Sequence, residues 1–363
     1  MLAAELPLAG VLVLDFSQFL AGPVAALRLA DLGARVIKVE RPGTGEIGRT
    51  LAFAGRWADE DTVSFHAMNR NKEAVVADLK DPGDLEQVRR LVAGADVLIH
   101  NFRPGVMERL GLDYEAVREL NPGLVYAAAS GYGAEGPWAG RPGQDLLAQS
   151  VSGLAWVSGA DRPVTVGLSL ADHLLSCHLA EGVTALLVRK ARTGQGGLIE
   201  SSLLEAMLDL QSERLTAHLN PQTPQPPHPA AVAGIYRTAD GYLAIAGLDG
   251  LEGPEDLVDQ LRTAGTAYWV EVLGRRGIEC APLRTLGELL ASPEFAAVGM
   301  TQVVERPPVV AGEAPLRLMT TRSPIRIDGE VLRSQRAAPR LGAQGHVGAE
   351  GEFGVEGAGG GGA

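Results

Sequence analysis

The amino-acid sequence predicts an α/β protein whose main domain is an open, doubly wound parallel sheet. Two observations support this prediction. Short apolar segments alternate with segments of helical spacing between residues 10 and 130. The first two apolar segments also flank one helix within about thirty residues, the length of a βαβ unit. Strands joined through a helix run parallel, because such a connection is too long for a hairpin.

The elements of this domain follow one another in a regular order. Residues 10–15 predict a short apolar strand that ends in a turn. Pro23 suits the first position of a helix over 23–32, because its missing N–H costs nothing there. Gly33 is typical of the residue that ends a helix, and residues 34–40 predict the next strand. The same alternation predicts strands at 74–78, 96–100 and 124–130 and helices at 82–93 and 114–120.

The second half of the chain predicts a smaller domain behind a proline-rich connector. A long helix follows Asp172 and another is expected over 203–219. Five of the nine residues from Pro221 to Pro229 are proline, which favours a stiff, extended segment. Further elements are a hairpin at 235–246 turning on Asp240-Gly241, helices at 254–264, 268–275 and 286–290, and an extended segment at 278–282.

These elements predict five regions along the chain. The regions are 1–220 (large α/β domain), 221–229 (linker), 230–300 (small α+β domain), 301–342 and 343–363 (a disordered glycine-rich tail).

Composition excludes several classes of function. The formal net charge is −12, whereas general nucleic-acid binding needs a basic face. Two cysteines and seven scattered histidines predict neither a disulfide framework nor a metal site. No uncharged apolar segment is as long as a membrane span, which needs about 18 residues, and the first residues show no positively charged leader. We therefore expect a cytoplasmic protein with no metal, membrane or nucleic-acid partner.

One glycine pattern resembles a dinucleotide-binding turn but lacks its context. Gly131, Gly133 and Gly136 follow a predicted strand, yet a segment containing two prolines comes next instead of a helix. The sequence therefore predicts no nicotinamide cofactor and no other tightly bound one.

Asp172 stands at an unusual junction. Residues 164–171 are apolar or small and predict a buried strand or extended segment, and helical spacing begins directly after the aspartate. A carboxylate there is suited to cap the helix, because it accepts a backbone N–H and interacts favourably with the helix dipole. The same junction would also present a carboxylate nucleophile to a cleft. The local sequence leaves both interpretations open.

Basic residues follow the predicted strands at their carboxyl ends. Because these ends share one edge of a parallel sheet, the basic side chains predict a pocket for a polyanion of phosphate type. Phe102 and Pro104 would offer an apolar face to an adenine ring. The basic residues are Arg41, Arg70, Lys72, Lys80, Arg103 and Arg109.

Several longer stretches carry a family pattern. They are residues 12–16 (Leu-Val-Leu-Asp-Phe), 20–23 (Leu-Ala-Gly-Pro), 30–42, 68–72 (Met-Asn-Arg-Asn-Lys), 93–111, 141–149 and 192–196 (Arg-Thr-Gly-Gln-Gly). Because these stretches occur in the family's order, the chain resembles the class III coenzyme A transferases of the CaiB/BaiF type. That family includes formyl-CoA and carnitine-CoA transferases and α-methylacyl-CoA racemases. Looser matches follow at 238–241, 277–282 and 338–342.

The resemblance implies a fold, an activity and a set of site residues. The implied fold is a large Rossmann-like domain completed by both chain ends, with 1–220 as its N-terminal part and 301–342 as the return to it after the smaller inserted domain. The resemblance also implies two subunits interlocked as a homodimer. The implied activity is acyl-CoA:carboxylate CoA transfer, with acyl-CoA and a small carboxylic acid as substrates. Asp172 takes the position of the catalytic nucleophile, acting through a mixed anhydride and an aspartyl-CoA thioester. Gln144 and Asp145 fall at the acyl end. The positions that match CoA contacts are Ala21, Arg41, Lys80, Asn101, Phe102, Arg103 and Arg109.

Two departures from the family pattern bear on the activity. Racemases pair the aspartate with a histidine and a glutamate, whereas Gln144 and residues 248–250 (Leu-Asp-Gly) stand at those places. Racemisation needs an acid and a base on opposite faces of the substrate, so the sequence favours transfer. The segment between Gly247 and Trp269 is also short, which predicts a trimmed small domain. The alternatives are an acyl-CoA racemase or epimerase of the same family and a CoA-binding homologue with reduced catalysis.

Overall fold

The computed structural model describes residues 6–52, 55–157, 161–220, 234–246, 259–310 and 312–348. The chain divides into two compact units, one up to Thr216 and from Thr301 onward, the other Ala217–Met300. The expected linker at 221–229 lies outside the described residues, as does the tail from residue 349 onward.

The larger unit is built around a six-stranded parallel sheet. Its strands are β1 (Leu12–Asp15), β2 (Arg35–Glu40), β5 (Glu73–Val76), β6 (Val97–His100), β7 (Val125–Ser130) and β8 (Gly197–Ser202). The order across the sheet is β5-β2-β1-β6-β7-β8, so the direction of winding reverses between β1 and β6. Each neighbouring pair is parallel, which confirms the doubly wound fold. The strand β8 was not predicted.

The helices of this unit are α1 (Ala21–Asp31), α2 (Val63–Asn69), α3 (Pro82–Gly94), α4 (Val106–Leu110), α5 (Tyr114–Leu120), α6 (Asp145–Val151), α7 (Leu170–Thr193), α8 (Leu203–Leu210) and α9 (Ser212–Leu219). Helices α2, α4 and α6 were not predicted, whereas the others lie at or near predicted positions. The single helix expected over 203–219 is thus two helices that meet at Gln211. Helix α1 begins two residues before Pro23, so this proline is its third residue.

Helices cover both faces of the sheet because successive strand residues point to opposite sides. Val13 of β1 belongs to a core with apolar residues of α1, α7 and α8. Leu14, the next residue, belongs to a second core with residues of α3 and α5. Burial of each large aliphatic side chain contributes about 1.5–3 kcal/mol, so the two cores hold the three layers together.

The C-terminal part of the chain returns to the outer edge of this sheet. The Gly345 carbonyl accepts the Val76 N–H at 3.2 Å, and the Val76 carbonyl accepts the Val347 N–H at 2.9 Å. The Val347 side chain lies in the second core. The expected start of a disordered tail at residue 343 is therefore too early, since residues 344–347 pair with the edge strand β5.

Three small hairpins complete the larger unit. They are β3 (Trp57–Ala58) with β4 (Asp61–Thr62), β12 (Thr301–Arg306) with β13 (Leu316–Thr321), and β14 (Arg326–Ile327) with β15 (Glu330–Val331).

The second unit has its own sheet and core. Its three antiparallel strands are β9 (Gly234–Arg237), β10 (Tyr242–Ile245) and β11 (Cys280–Pro282), with helices α10 (Thr266–Arg275), α11 (Leu286–Leu290) and α12 (Pro293–Val298). The hairpin turns at Asp240-Gly241 as predicted, closed by a bond from the Thr238 N–H to the Gly241 carbonyl. Leu243, Trp269 and Leu273 lie in its core. Of the helix predicted at 254–264, residues 254–258 lie outside the described residues.

Candidate active site

The crevice where the sheet reverses its winding is tied together by one asparagine. The Asn101 side chain, which follows β6, donates to the Gln18 carbonyl at 2.6 Å and accepts the Gln18 N–H at 2.8 Å. Gln18 lies in the loop between β1 and α1. In doubly wound sheets this crevice, at the carboxyl ends of the strands, is where ligands bind.

Asp172 lies close to this crevice, in the first turn of α7. It is the third residue of that helix, and Ser169 occupies the cap position without a side-chain bond. The capping interpretation of Asp172 is therefore wrong. Instead, its carboxylate lies near the backbone N–H of Ala21, at the start of α1, and this N–H lowers its pKa.

The segment before Asp172 differs from the predicted buried strand. Residues 164–168 form no strand, and their apolar side chains are largely exposed, with Leu168 at 72%. Val164 and Val166 are exposed as well. The apolar pattern here marks a surface segment that leads into the site.

Asp145 supplies the cap that α7 lacks locally. Its Oδ1 atom accepts the Ala171 N–H at 2.6 Å and the Asp172 N–H at 3.3 Å. Its Oδ2 atom accepts the side-chain N–H of the buried Gln149 at 2.5 Å. Both carboxylate oxygens are thus engaged within the protein. Asp145 therefore acts on Asp172 through the backbone at the start of α7.

These surroundings change the acidity of Asp172. Burial and, to a smaller extent, the negative charge of Asp145 raise its pKa to about 7, although the Ala21 N–H acts in the opposite direction. A carboxyl group with a pKa near neutrality gives a more basic anion than an exposed aspartate does. Such an anion is suited to attack an activated carbonyl carbon.

Gln144 differs from its neighbour in being exposed. It holds the cap position of α6, and its side chain forms no capping bond there. Its amide group is therefore available to a ligand beside Asp145.

Four of the predicted basic residues are exposed at the carboxyl edge of the sheet. None of them has an ion-pair partner within the part of the chain that the structure describes. They are Arg41 after β2, Lys80 after β5, and Arg103 and Arg109 after β6. Exposed guanidinium and ammonium groups at this edge can bind phosphate oxygens.

The other two basic residues of that prediction are not available to a ligand. Lys72 is 2% exposed and its Nζ atom lies 2.8 Å from Asp15 Oδ2. Arg70 is 4% exposed and its guanidinium donates to Asp31 at 2.7 Å. Their assignment to the anion pocket is wrong, because each is buried against its own carboxylate.

Phe102 is held by an aromatic neighbour. Its half-buried ring stacks on His100 with ring centroids 6.0 Å apart and planes inclined at 28°. Burial lowers the pKa of His100 to about 4, so this imidazole is neutral at neutral pH and supports the phenyl ring without a charge.

The described residues contain no group of three or more His, Cys, Asp or Glu side chains arranged to hold a metal ion. None of the helices described is long and apolar enough to cross a membrane.

Comparison with known proteins identifies the family. The sequence matches the family described as CoA-transferase family III over residues 8–251 and 252–345. The chain belongs to CoA-transferase family III.

Relatives in this family resemble the chain over almost its whole length. The succinate–glutarate CoA-transferase of Agrobacterium fabrum is 32% identical, over 93% of this chain and 93% of its own. The acetyl-CoA:oxalate CoA-transferase of Acetobacter aceti is 32% identical, over 93% of this chain and 94% of its own. The crystal structure of Rv3272 from Mycobacterium tuberculosis superimposes with a TM-score of 0.79 at 30% identity, covering 94% of this chain and 98% of that one.

Sequence reasoning missed a buried polar cluster beneath the β1–α1 loop of this CoA-transferase. Asp15, Lys38 and Lys72 have no exposed side-chain surface. Burial alone would raise the pKa of Asp15, but the two ammonium groups outweigh it and lower the pKa to about 2. One signal was present: Lys38 lies between Ile37 and Val39 within an apolar strand, and a buried ammonium group there requires an acidic partner.

Proposed function

We propose that this enzyme transfers coenzyme A from an acyl-CoA to a small carboxylic acid, with Asp172 as the nucleophile. The main support is the position of its carboxylate. It lies beside the switch-point crevice, near the Ala21 N–H, with a pKa raised to about 7 by burial and by Asp145. Such raised values are typical of carboxylates that take part in chemistry.

In the first half of the proposed reaction, the donor loses its CoA. A carboxylate oxygen of Asp172 attacks the thioester carbonyl carbon, the C–S bond breaks, and CoA leaves as a thiolate. The product is a mixed anhydride. The thiolate then attacks the aspartyl carbonyl carbon, and the donor acid leaves as a carboxylate. The enzyme now carries an aspartyl-CoA thioester.

The second half repeats these steps with the acceptor acid in reverse. The acceptor carboxylate attacks the aspartyl thioester and releases CoA thiolate, which attacks the acceptor carbonyl and frees Asp172. Each step exchanges one acyl bond for another, so no ATP and no net proton are consumed. The Ala21 N–H is suited to stabilise the oxyanions that form at the aspartyl carbonyl.

The exposed basic residues at the carboxyl edge are proposed to bind the phosphates of CoA. Phe102 would provide the face for the adenine ring, Asn101 and Ala21 would line the crevice, and Gln144 would contact the acyl end.

We expect Arg103→Ala to raise KM for acyl-CoA about tenfold with little change in kcat, as for the loss of one charge-assisted bond. Steady-state kinetics would measure this, with Arg118→Ala on α5, exposed and paired with Glu115, as the matched control. An unchanged KM would remove Arg103 from the site.

The proposed covalent step is tested by trapping. Enzyme incubated with a donor acyl-CoA and hydroxylamine should carry a hydroxamate on Asp172, detected by peptide mass spectrometry. The donors and acceptors tested should include dicarboxylates, because the named relatives act on succinate, glutarate or oxalate. An enzyme that turns over while Asp172 stays unlabelled would contradict the proposal.

The acidity of Asp172 gives a second test. Its carboxylate must be ionised to attack, so kcat/KM of wild type should fall as the pH drops through about 7. Asp145→Asn removes the negative charge that raises this pKa but keeps an oxygen for the Ala171 N–H. We expect the acidic limb of the pH profile to move to lower pH in this variant. A limb that stays in place or moves upward would show that Asp145 does not act on Asp172.

We also propose that the enzyme is a homodimer of interlocked subunits. The family resemblance supports this, as do exposed apolar side chains such as Leu146 of α6 and Trp156, which are 50% and 60% exposed. Light scattering that gave the molar mass of a single chain would contradict it.

A further inference from the structure

The loop between β1 and α1 adopts a conformation that its own sequence does not favour. Phe19 has a φ of 66°, in the left-handed region that non-glycine residues rarely occupy. Leu20 holds the cap position of α1 and provides no side-chain acceptor for the free N–H groups of that helix. A loop of this kind persists only when its surroundings hold it.

Lys72 connects both ends of this loop from below. Its Nζ atom lies 2.8 Å from Asp15 Oδ2 before the loop, 2.8 Å from the Pro23 carbonyl after it, and 2.8 Å from Asn69 Oδ1. An ammonium group has three N–H donors, so each of them has an acceptor here.

Asp15 in turn hydrogen-bonds a residue of the loop itself. Its Oδ1 atom accepts the Ser17 N–H at 2.9 Å and also the Ser17 hydroxyl. A second buried lysine, Lys38, donates to the Ser17 carbonyl at 2.8 Å. Ser17 is therefore held at its N–H, its carbonyl and its side chain.

Ser17 in turn fixes the first turn of α1. The backbone of Gly22 packs so closely against it that a Cβ atom on Gly22 would lie 2.2 Å from the Ser17 Cβ. Any displacement of Ser17 would therefore change the contact that places the start of α1. Ala21 belongs to this turn and lies in the same buried core as Ala171, the neighbour of Asp172. Its N–H lies near the Asp172 carboxylate and lowers the pKa of that group.

We infer that Lys72 and Asp15 are a positioning pair, whose buried contacts hold the β1–α1 loop so that the Ala21 N–H meets the Asp172 carboxylate. The pair lies in the interior and touches no substrate. Buried ion pairs are often no more stabilising than apolar side chains of similar volume, so this pair is better explained by the geometry it imposes. The catalytic consequence rests on the proposed role of Asp172.

The test is a charge-neutral double replacement, Asp15→Asn with Lys72→Met. It removes the contacts without changing the net charge near Asp172. The groups that act directly on Asp172, Asp145 from α6 and the Ala21 N–H from α1, keep their identity. His173 and Arg28, which interact on the packed helices α7 and α1, also remain.

Loss of the Ala21 N–H contact should raise the pKa of Asp172, since that contact lowers it. We expect this pKa to rise by about one pH unit. At a pH well below the pKa, about tenfold less of the enzyme would then carry an ionised Asp172. The primary measurement is the titration of the Asp172 carboxyl carbon by ¹³C NMR, assigned by difference from Asp172→Asn. The acidic limb of kcat/KM should move by the same amount.

The matched control is a second buried ion pair, at the far end of α1. Asp31, at the end of that helix, pairs with Arg70 at 2.7 Å, and Asp31→Asn with Arg70→Met is also charge-neutral. We expect this control to lose stability while its titration stays at the wild-type pH.

The outcomes separate the two proposals. A folded Asp15/Lys72 double variant that titrates like wild type would overturn the positioning role. If that variant does not fold, Ser17→Ala, which removes only the hydroxyl bond to Asp15, should show a smaller shift in the same direction, and no shift would overturn it too. Because NMR needs no turnover, failure of the catalytic proposal would appear separately, as full activity in Asp172→Asn.

Discussion

Asp172→Asn is expected to abolish CoA transfer, with kcat/KM falling by about 10⁴-fold or more, as for removal of a covalent nucleophile. The amide keeps the shape of the side chain but cannot attack a thioester carbonyl carbon. Exchange of CoA between a labelled acid and an acyl-CoA would measure the loss. Asp209→Asn, which changes an exposed aspartate on α8, should retain wild-type rates.

The same variant should be more stable than wild type at alkaline pH, which separates loss of chemistry from loss of fold. The pKa of Asp172 is about 7 in the folded protein against an ordinary value of 3.8. The folded state therefore binds the Asp172 proton more tightly than the unfolded state does. The contribution of this proton to the free energy of unfolding is lost as the pH rises through 7. At about pH 8 the neutral amide should melt higher, by roughly 5 °C or more, and the difference should vanish below about pH 4. A lower melting temperature at pH 8 would indicate that the carboxylate stabilises the fold.

Gly22→Ala is expected to damage both activity and stability. The new Cβ would lie 2.2 Å from the Ser17 Cβ and 2.5 Å from its hydroxyl oxygen, so the β1–α1 loop must move. Overpacking of this kind costs about 1–3 kcal/mol, and displacement of the Ala21 N–H should lower kcat/KM by about 100-fold. Chemical denaturation and steady-state kinetics would measure the two effects.

Gly274→Ala provides the matched control for this substitution. Gly274 also lies in a helix, α10, but a Cβ there meets nothing within 4 Å. Alanine should therefore stabilise that helix by about 1 kcal/mol without changing the rate. A Gly22→Ala enzyme with wild-type kcat/KM would show that the close packing at Ser17 has no part in catalysis.

The elements predicted from local pattern agree well with the structure. Strands β1, β2 and β6 and helix α5 lie within a residue or two of their expected limits. Their apolar spacing and end signals are contained in short segments.

Strand β8 was missed because Gly196 and Gly197 resemble a turn. A Cβ on Gly196 would lie 1.9 Å from the Leu124 carbonyl oxygen, so the glycine serves a contact between distant strands.

The site shows the same division between local and distant information. The family resemblance predicts Asp172 as the nucleophile, and the local sequence left a helix cap open as the alternative, which the structure excludes. The group that caps α7 is Asp145, which is 26 residues from Ala171 in the chain. No pattern within one segment predicts such a contact.

Buried charges were the other source of error. Charged side chains at strand ends usually lie in water, so Arg70 and Lys72 were assigned to a ligand pocket. Each is instead matched to one aspartate that is distant in sequence, Asp31 or Asp15. The choice between surface and interior depends on these pairings, which only the tertiary structure provides.

The pairing of residues 344–347 with β5 has a consequence for biosynthesis. An unpaired outer strand offers free N–H and carbonyl groups to other chains and so promotes aggregation. During translation β5 emerges long before the residues that cover it, and more than 260 residues separate Ala74 from Gln344, which bond to each other. The nascent chain therefore exposes this strand until residues 344–347 have been synthesised, an interval in which a ribosome-associated chaperone would protect it.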